Sequence, residues 1–207
     1  MEVNEDGAES LGFDPPTLDY YQRHAVTYGA HRGPLEFPAL MNFIESLPSR
    51  STVLELGCGA GQDAEILLRA GFDVTVTDGS PAMADAAARR LGRPVSVLRF
   101  DELDLVSAFD GIWANACLLH APQVALPEII KRIHRALRPS GLLCATFKGG
   151  AGAARDGLGR YFNYMPSGAL YDLVRSSASW GEVTVAQHHG LDFLGAPTEW
   201  LVCMARR

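Results

Sequence analysis

The 207-residue chain is 47% hydrophobic, enough to bury a substantial core and of a size suited to one ordinary domain. Its formal net charge of −6 excludes a protein that lives by neutralising phosphates, because non-specific nucleic-acid affinity comes from clustered Lys and Arg; a small molecule is the expected partner. The acidic start, Met1 to Ser10, lacks the basic and apolar runs of a secretory leader, and no stretch approaches the roughly 20 apolar residues of a membrane span. A cytoplasmic protein with no membrane or nucleic-acid partner is therefore expected.

In chain order, residues 1–16 read as a flexible segment ending in Pro15-Pro16, with Thr17 placed to cap a helix that starts at Leu18. Tyr20, Tyr21, His24, Ala25 and Tyr28 recur at helical spacings up to about Ala30, and residues 34–47 read as a second amphipathic helix. After Pro48-Ser49 short apolar runs alternate with longer helical ones, the pattern of repeated strand–helix–strand units and a largely parallel sheet. The expected strands are 52–56, 73–77, 95–99, 110–115 and 142–147. Between them fall helices near 62–70, 81–91 and 123–137, the last stopped by Pro139 and Gly141. A glycine-rich loop is expected at 149–159, then a helix near 167–176. Two alternating segments, 182–187 and 199–205, read as an antiparallel pair at a sheet edge. Cys58, Cys117, Cys144 and Cys203 are widely separated with no C-x-x-C pair, so free thiols are expected and no metal site.

The run from Val53 to Gly61 passes from a buried strand into a helix through Gly57, Gly59 and Gly61, which let a ligand approach the backbone amides. It is not a dinucleotide fingerprint, since Gln62 stands where a small residue would pack helix on strand. Glu55 at the end of that strand would repel a diphosphate, whereas the sulfonium and ammonium of S-adenosylmethionine tolerate or favour it. Asp78, about 20 residues on at the end of the next strand, is placed to accept hydrogen bonds from two ribose hydroxyls. The plainer alternative makes Glu55 an exposed end-of-strand charge and Asp78 the cap of the Ser80-Pro81 helix.

Four segments in this order resemble the class I S-adenosylmethionine-dependent methyltransferases: VLELGCGAGQDA, VTDGSPAM, FDGIWANACLLH and ALRPSGLLCATF. Through YYQRHAVTYGAHR, FKGG and GRYFNY the chain is similar to the bacterial small-molecule, tellurite-resistance-like branch. The resemblance covers about residues 17–205. It implies an α/β, Rossmann-like three-layer sandwich with a seven-stranded, mostly parallel sheet whose last strand is antiparallel. One domain would span 17–207, with a helical lid at 17–47. The implied cofactor is S-adenosyl-L-methionine, held by Gly57, Cys58, Gly59, Gly61, Asp78, Gly79 and Met83, with Met83 on the adenine face. Phe100 and Asp101 would edge the adenine, Asn115 and Ala116 would approach the methionyl part, and Tyr20 and Tyr28 would fold over as the lid. After Lys148, where an acid is expected, the chain has Gly152-Ala153-Ala154, so no acid's role carries over there.

Methyl transfer from a sulfonium is an in-line displacement that needs alignment first and a base only when the acceptor must lose a proton. His120 is the candidate base, its alternative being a structural hydrogen bonder. Trp113, Tyr161, Tyr164 and Trp200 are candidates to line an acceptor pocket or simply to pack, and aromatic faces favour a sulfonium. Lys148 and Arg160 flank the glycine-rich loop and could bind an anionic acceptor, or anchor the loop by surface pairs. The expected function is methyl transfer to a small-molecule acceptor. A non-catalytic cofactor-binding or interaction module is the alternative, and a nicotinamide-dependent oxidoreductase is disfavoured by the glycine spacing and Glu55.

Overall fold

A computed structural model describes residues 12–30, 38–192 and 195–207 of the chain. Two helices come first, α1 (Pro15–Ala30) and α2 (Pro38–Glu45). Strand β1 (Thr52–Glu55) leads to α3 (Gln62–Arg69), β2 (Asp73–Asp78) to α4 (Pro81–Leu91), and a short β3 (Ser96–Val97) follows. Then come β4 (Phe109–Ala114), α5 (Leu126–Ala136), β5 (Leu137–Gly149), β6 (Ala153–Arg155), β7 (Tyr161–Met165) and α6 (Ser167–Ser177), closed by β8 (Glu182–Leu191) and β9 (Pro197–Arg206).

The sheet runs β3-β2-β1-β4-β5, parallel throughout, and β9 extends it antiparallel to β5 with β8 outside it. These are the seven expected strands with the last one antiparallel. The side chains alternate across the sheet, as strand geometry requires. Leu54, Ile112 and Leu143 pack against Ile129, Ile130 and Ile133 of α5 and Leu170 and Val174 of α6. Val53, Val74, Trp113 and Cys144 pack on the other face against Leu40 and Phe43 of α2 and Leu67 of α3. Both faces are thus covered by helices, and the chain order reverses at β1, where β2 lies on one side and β4 on the other. In such sheets the ligand crevice opens at the carboxyl ends of the strands at that reversal.

Several expectations shift. Helix α1 starts at Pro15 rather than Leu18, and its cap is Asp14, whose Oδ2 accepts from the Thr17 amide at 2.9 Å and the Thr17 hydroxyl at 2.6 Å. Proline suits a first helical turn, whose N–H groups have no partner within the helix. Gly12 packs on Asp101, Phe13 lies under the Arg99 guanidinium and Asp14 pairs with Arg155, so the part of the flexible segment at 12–16 is tied down; residues 1–11 lie outside the described residues. Of the second helix, α2 covers Pro38–Glu45; 34–37 lie outside the described residues, and 46–47 have left the helix ahead of Pro48. Strand β3 is only two residues long. Helix α5 is shorter than 123–137, preceded by a 3₁₀ turn at Gln123–Ala125, and Leu137 already belongs to β5.

The largest difference lies in the glycine-rich segment. Rather than a plain loop at 149–159, it contains β6, which forms an antiparallel hairpin with β7. Strand β7 in turn pairs with Lys148 and Gly149, on the edge of β5 beyond the end of β4, making the sheet nine-stranded. The four cysteines are buried free thiols. No helix among the described residues is long and apolar enough to cross a membrane.

Candidate active site

The carboxyl end of β1 turns through three glycines, all in the left-handed region, at φ of 63°, 56° and 82°. Gly57 has a second reason to be glycine: a Cβ there would lie 2.5 Å from the Cβ of Cys117, which follows β4. The turn is held from β2, where the Cys58 amide donates to the Thr77 carbonyl (2.9 Å) and the Gly59 amide to Asp78 Oδ2 (2.9 Å). Asp78 Oδ1 accepts from the Ser80 amide at 2.8 Å, so one carboxylate ties together the two turns of the crevice. Burial pushes Asp78 up to about 6, against the pull of those two amides. It is not itself the cap of α4: Ser80 is, its hydroxyl accepting from the Met83 amide.

Glu55 is not an exposed charge. It is 2% exposed, its Oε2 has no hydrogen-bond partner, and burial, then the negative charges of Asp63 and Asp78, push its carboxyl well above the usual range. Asp63, in the first turn of α3, accepts from Trp113 Nε1 and from Asn115 Nδ2, both at 2.9 Å. None of these three acids forms a salt bridge among the described residues. The charges of Asp63 and Asp78 repel an anion here, and a cation beside the orphaned Glu55 carboxyl would be met by its ionisation, so the site favours a cation. S-adenosylmethionine, with a sulfonium and an ammonium, fits it; a pyrophosphate does not.

The other residues expected at the cofactor surround the same turn. Tyr28 and Met83 approach Gly59, within 3.6 and 3.8 Å of the position its Cβ would take, and Phe100 approaches Gly57 likewise at 3.7 Å. Gly79 lies under Leu18 of α1, and Asp101 is held by Arg99 at 3.1 Å. Asn115 and Ala116 are fixed by Thr146, whose hydroxyl donates to Asn115 Oδ1 and accepts from the Ala116 amide, both at 2.7 Å. Ala116 sits at φ 48°, a strained conformation at the end of β4. Burial pushes the Cys58 thiol up, so it is no thiolate nucleophile.

Above the crevice lie α1 and the β6–β7 hairpin, joined to each other by Asp14 with Arg155 and by the Tyr161 amide donating to Thr17 Oγ1 at 2.8 Å. His120, at the end of a 3₁₀ turn after β4, uses both ring nitrogens: Nδ1 lies 2.6 Å from the Tyr161 carbonyl and Nε2 lies 2.9 Å from the Tyr21 hydroxyl. A carbonyl only accepts, so Nδ1 carries the proton and Nε2 accepts from Tyr21. Burial, and the nearby charges of Arg160 and Lys148, push the imidazole down to about 4, against the Tyr161 bond and Asp156. Arg160 is 3% exposed; it donates to the Tyr21 hydroxyl (3.1 Å), pairs with Asp156 (2.7 Å) and lies over the rings of Tyr20 and Phe162. Lys148 pairs with Asp192 at 3.0 Å and lies 4.6 Å from the Phe162 ring centre and 5.7 Å from that of Trp200. Neither is a surface pair of a solvated loop. Tyr164 stacks on Phe162, and the Tyr161 hydroxyl donates to Asn163.

The structure thus brings Tyr20, Tyr28, His120, Lys148, Arg160, Tyr161, Tyr164 and Trp200 into one capping region. It does not bring Trp113 there: that ring is fully buried beside Phe43 on the α2 face. Sequence reasoning missed Tyr21, Gln22, Asp63, Thr146, Asp156 and Asp192. Gln22 latches α1 to α4 by accepting from the Ser80 hydroxyl (2.9 Å) and the Ala82 amide (3.0 Å). For Tyr21 a clue was present, since it stands two helical turns from Tyr28 and shares its face.

Comparison with known proteins agrees with this geometry. Residues 53–141 match the family model of a methyltransferase domain. The chain is 29% identical over 145 residues to hemagglutinin 1 of Eikenella corrodens, covering 67% of this chain and 46% of that protein. It is 33% identical over 135 residues to the ubiquinone biosynthesis O-methyltransferase of Paramagnetospirillum magneticum, covering 63% and 50%. The chain therefore spans about half the length of these curated relatives. Among solved structures, the Burkholderia thailandensis 1,6-didemethyltoxoflavin-N1-methyltransferase, with 1,6-didemethyltoxoflavin and S-adenosylhomocysteine bound, superposes with a TM-score of 0.73 at 25% identity, covering 92% of this chain and 84% of that one. The fold is that of the S-adenosylmethionine-dependent methyltransferases, residues 53–141 match a methyltransferase domain, and S-adenosylmethionine is the cofactor that this turn suits.

Proposed function

We propose that this chain transfers a methyl group from S-adenosylmethionine to a small-molecule acceptor. The observation that carries the reading is the acidic field of Glu55, Asp63 and Asp78 at the glycine turn, unmatched by any salt bridge among the described residues and aimed at a cationic donor. Bound there, the cofactor supplies an electrophilic methyl group on a sulfonium. Asp78 would hold the ribose hydroxyls, and Met83, Phe100 and Asp101 the adenine. The backbone of Gly57, Cys58, Gly59, Gly61 and Gly79 would line the adenosyl path, with Glu55, Asn115 and Ala116 toward the methionyl end. Tyr20 and Tyr28 would close over it with α1.

A small acceptor is supported by the cap, since α1 and the hairpin lie latched across the crevice and leave a macromolecule little access. The negative net charge and the small-molecule chemistry in the names of the toxoflavin and ubiquinone methyltransferases point the same way. Tyr161, Tyr164 and Trp200 would face the acceptor, and Trp113 would support the site from beneath through Asp63. Lys148 and Arg160 are each already neutralised by an aspartate, so an anionic acceptor has to compete with Asp192 or Asp156 for them. Placement in the tellurite-resistance-like branch rests on the segments at 20–32 and 147–164, and a cytoplasmic setting on the acidic composition and the free cysteines.

The test uses S-adenosylmethionine carrying a radiolabelled methyl group, incubated with the protein and either the low-molecular-mass or the macromolecular fraction of a bacterial extract. Label should enter the low-mass fraction in a protein-dependent way. Label only in the macromolecular fraction, or in neither, rejects the small-molecule reading.

A further inference from the structure

Strands β4 and β5 run in register as far as Ala114 and Ala145, and beyond that pair they part, β5 taking β7 as its neighbour at Lys148 and Gly149. At the parting the Ala116 amide goes to a side chain. The buried Thr146 hydroxyl accepts it at 2.7 Å and donates its own proton to Asn115 Oδ1, also at 2.7 Å. A hydroxyl can donate and accept at once, which no hydrocarbon of its shape can do. Ala116 is held there at φ 48°, a conformation that a residue with a Cβ keeps only where its surroundings enforce it. The bend leads straight into Cys117, which lies against the glycine turn: its thiol donates to the Leu56 carbonyl at 3.1 Å, and its Cβ stands 2.5 Å from where one on Gly57 would be. Asn115 reaches the other way, its Nδ2 donating to Asp63 at the start of α3 at 2.9 Å. One hydroxyl on β5 therefore fixes both points at which the end of β4 meets the glycine turn and its helix.

We propose that Thr146 is a positioning residue for cofactor binding, its hydroxyl setting the bend at Asn115 and Ala116 and so the shape of the site at the methionyl end of S-adenosylmethionine. The inference rests on the cofactor placement given above and adds to it a residue from outside the glycine turn, acting through Asn115 and Ala116. Without the hydroxyl, the Ala116 amide and Asn115 Oδ1 both lose their partner at a place closed to water. The cheapest relief is for Ala116 to leave the left-handed region, which turns the peptide planes on either side of it and shifts Cys117 against Gly57. The adenosyl end is spared, because β2 holds it independently through Asp78, which accepts from the Gly59 and Ser80 amides. A loss of the hydroxyl should therefore fall on one end of the cofactor. A loss of the Thr146 methyl group, by contrast, would only open a gap in the packing.

The experiment compares the intact protein with Thr146→Val, which keeps the shape and loses the hydroxyl, and Thr146→Ser, which keeps the hydroxyl and loses the methyl group. Calorimetry with S-adenosylhomocysteine reads the whole site. Calorimetry with methylthioadenosine, which has the adenosyl part without the amino-acid part, reads the adenosyl end by itself. Hydrogen exchange followed by NMR reads the Ala116 amide with no ligand present. Thr146→Val should lose about tenfold or more in S-adenosylhomocysteine affinity, the scale of buried polar groups left unpaired, and stay within about threefold for methylthioadenosine. Thr146→Ser should stay within about threefold for both ligands. The Ala116 amide should exchange slowly in the intact protein and in Thr146→Ser, and fast in Thr146→Val. Thr146→Val with unchanged S-adenosylhomocysteine affinity overturns the proposal, as does a loss shared equally by the two ligands. Thr146→Ser binding more weakly than Thr146→Val makes packing the cause and also overturns it. Should Thr146→Val fail to fold, the other two proteins decide: fast exchange at Ala116 in the intact protein overturns the proposal, and slow exchange and intact affinity in Thr146→Ser uphold it. If the intact protein binds neither ligand, the cofactor placement itself is defeated, and the role of Thr146 falls with it.

Discussion

Replacing His120 with Gln should change how folding stability depends on pH, and by a calculable amount. Burial lowers the imidazole from 6.5 to about 4 in the folded chain, while the unfolded chain titrates near 6.5. Between those values the unfolded state carries more protons at this site, so the contribution is fully present above pH 6.5 and is lost as pH falls toward 4. At about 1.4 kcal/mol per pH unit, the loss is about 3 kcal/mol by pH 4.5. Asp78 acts in the opposite sense: burial raises it from 3.8 to about 6, so the folded state holds more protons in that window and stability falls as pH rises through it, again by about 3 kcal/mol. The two slopes largely cancel in the intact chain. His120→Gln removes one of them and exposes the other. Urea unfolding of the cofactor-free protein at pH 4.5, 5.5 and 7 measures this, and the stability of the intact protein minus that of the variant should rise by about 3 kcal/mol from the lowest pH to the highest. A difference that does not vary with pH refutes the account, and with it the assignment of a neutral, doubly hydrogen-bonded His120.

Asp78→Ala should weaken S-adenosylhomocysteine binding by about 1–3 kcal/mol in calorimetry, the cost of hydrogen bonds lost at a buried partner; unchanged affinity in a folded variant refutes the ribose assignment. Glu55→Gln should stabilise the cofactor-free chain at neutral pH by about 1–2 kcal/mol, because the folded chain has to keep this buried carboxyl protonated at a pH where the unfolded chain ionises it. Its raised carboxyl loses stability as pH rises, so this gain should grow toward alkaline pH in thermal melts, while affinity for S-adenosylmethionine falls; destabilisation at every pH would contradict the orphaned state of Oε2. Gly57→Ala should cost about 1–3 kcal/mol of stability in the same melts, since the added Cβ meets Cys117 at 2.5 Å and the backbone is left-handed there; a neutral effect would mean that the turn can relax.

The agreement between sequence and structure follows the range over which the governing forces act. Apolar alternation, helical spacing and glycine turns are local, and they were enough to read the parallel strands, the helices between them, the antiparallel close and the crevice at Gly57 and Asp78. The acidic companions of that crevice were legible too, because Glu55 and Asp78 stand at the ends of adjacent strands. Local rules failed where a competing local rule was stronger: Pro15-Pro16 read as a helix barrier although a first turn accepts proline, and the glycines at 149–159 hid a β6 strand whose partner, β7, is what makes it a strand. What only the tertiary structure decided is which side chains meet. Tyr21 reaches His120 across 99 residues and Arg160 across 139, and Trp113 turns into the core on the opposite face of the sheet. Those meetings depend on how α1 lies over the crevice and how the hairpin folds against it, and no spacing along one chain encodes a contact made only when two separate elements pack.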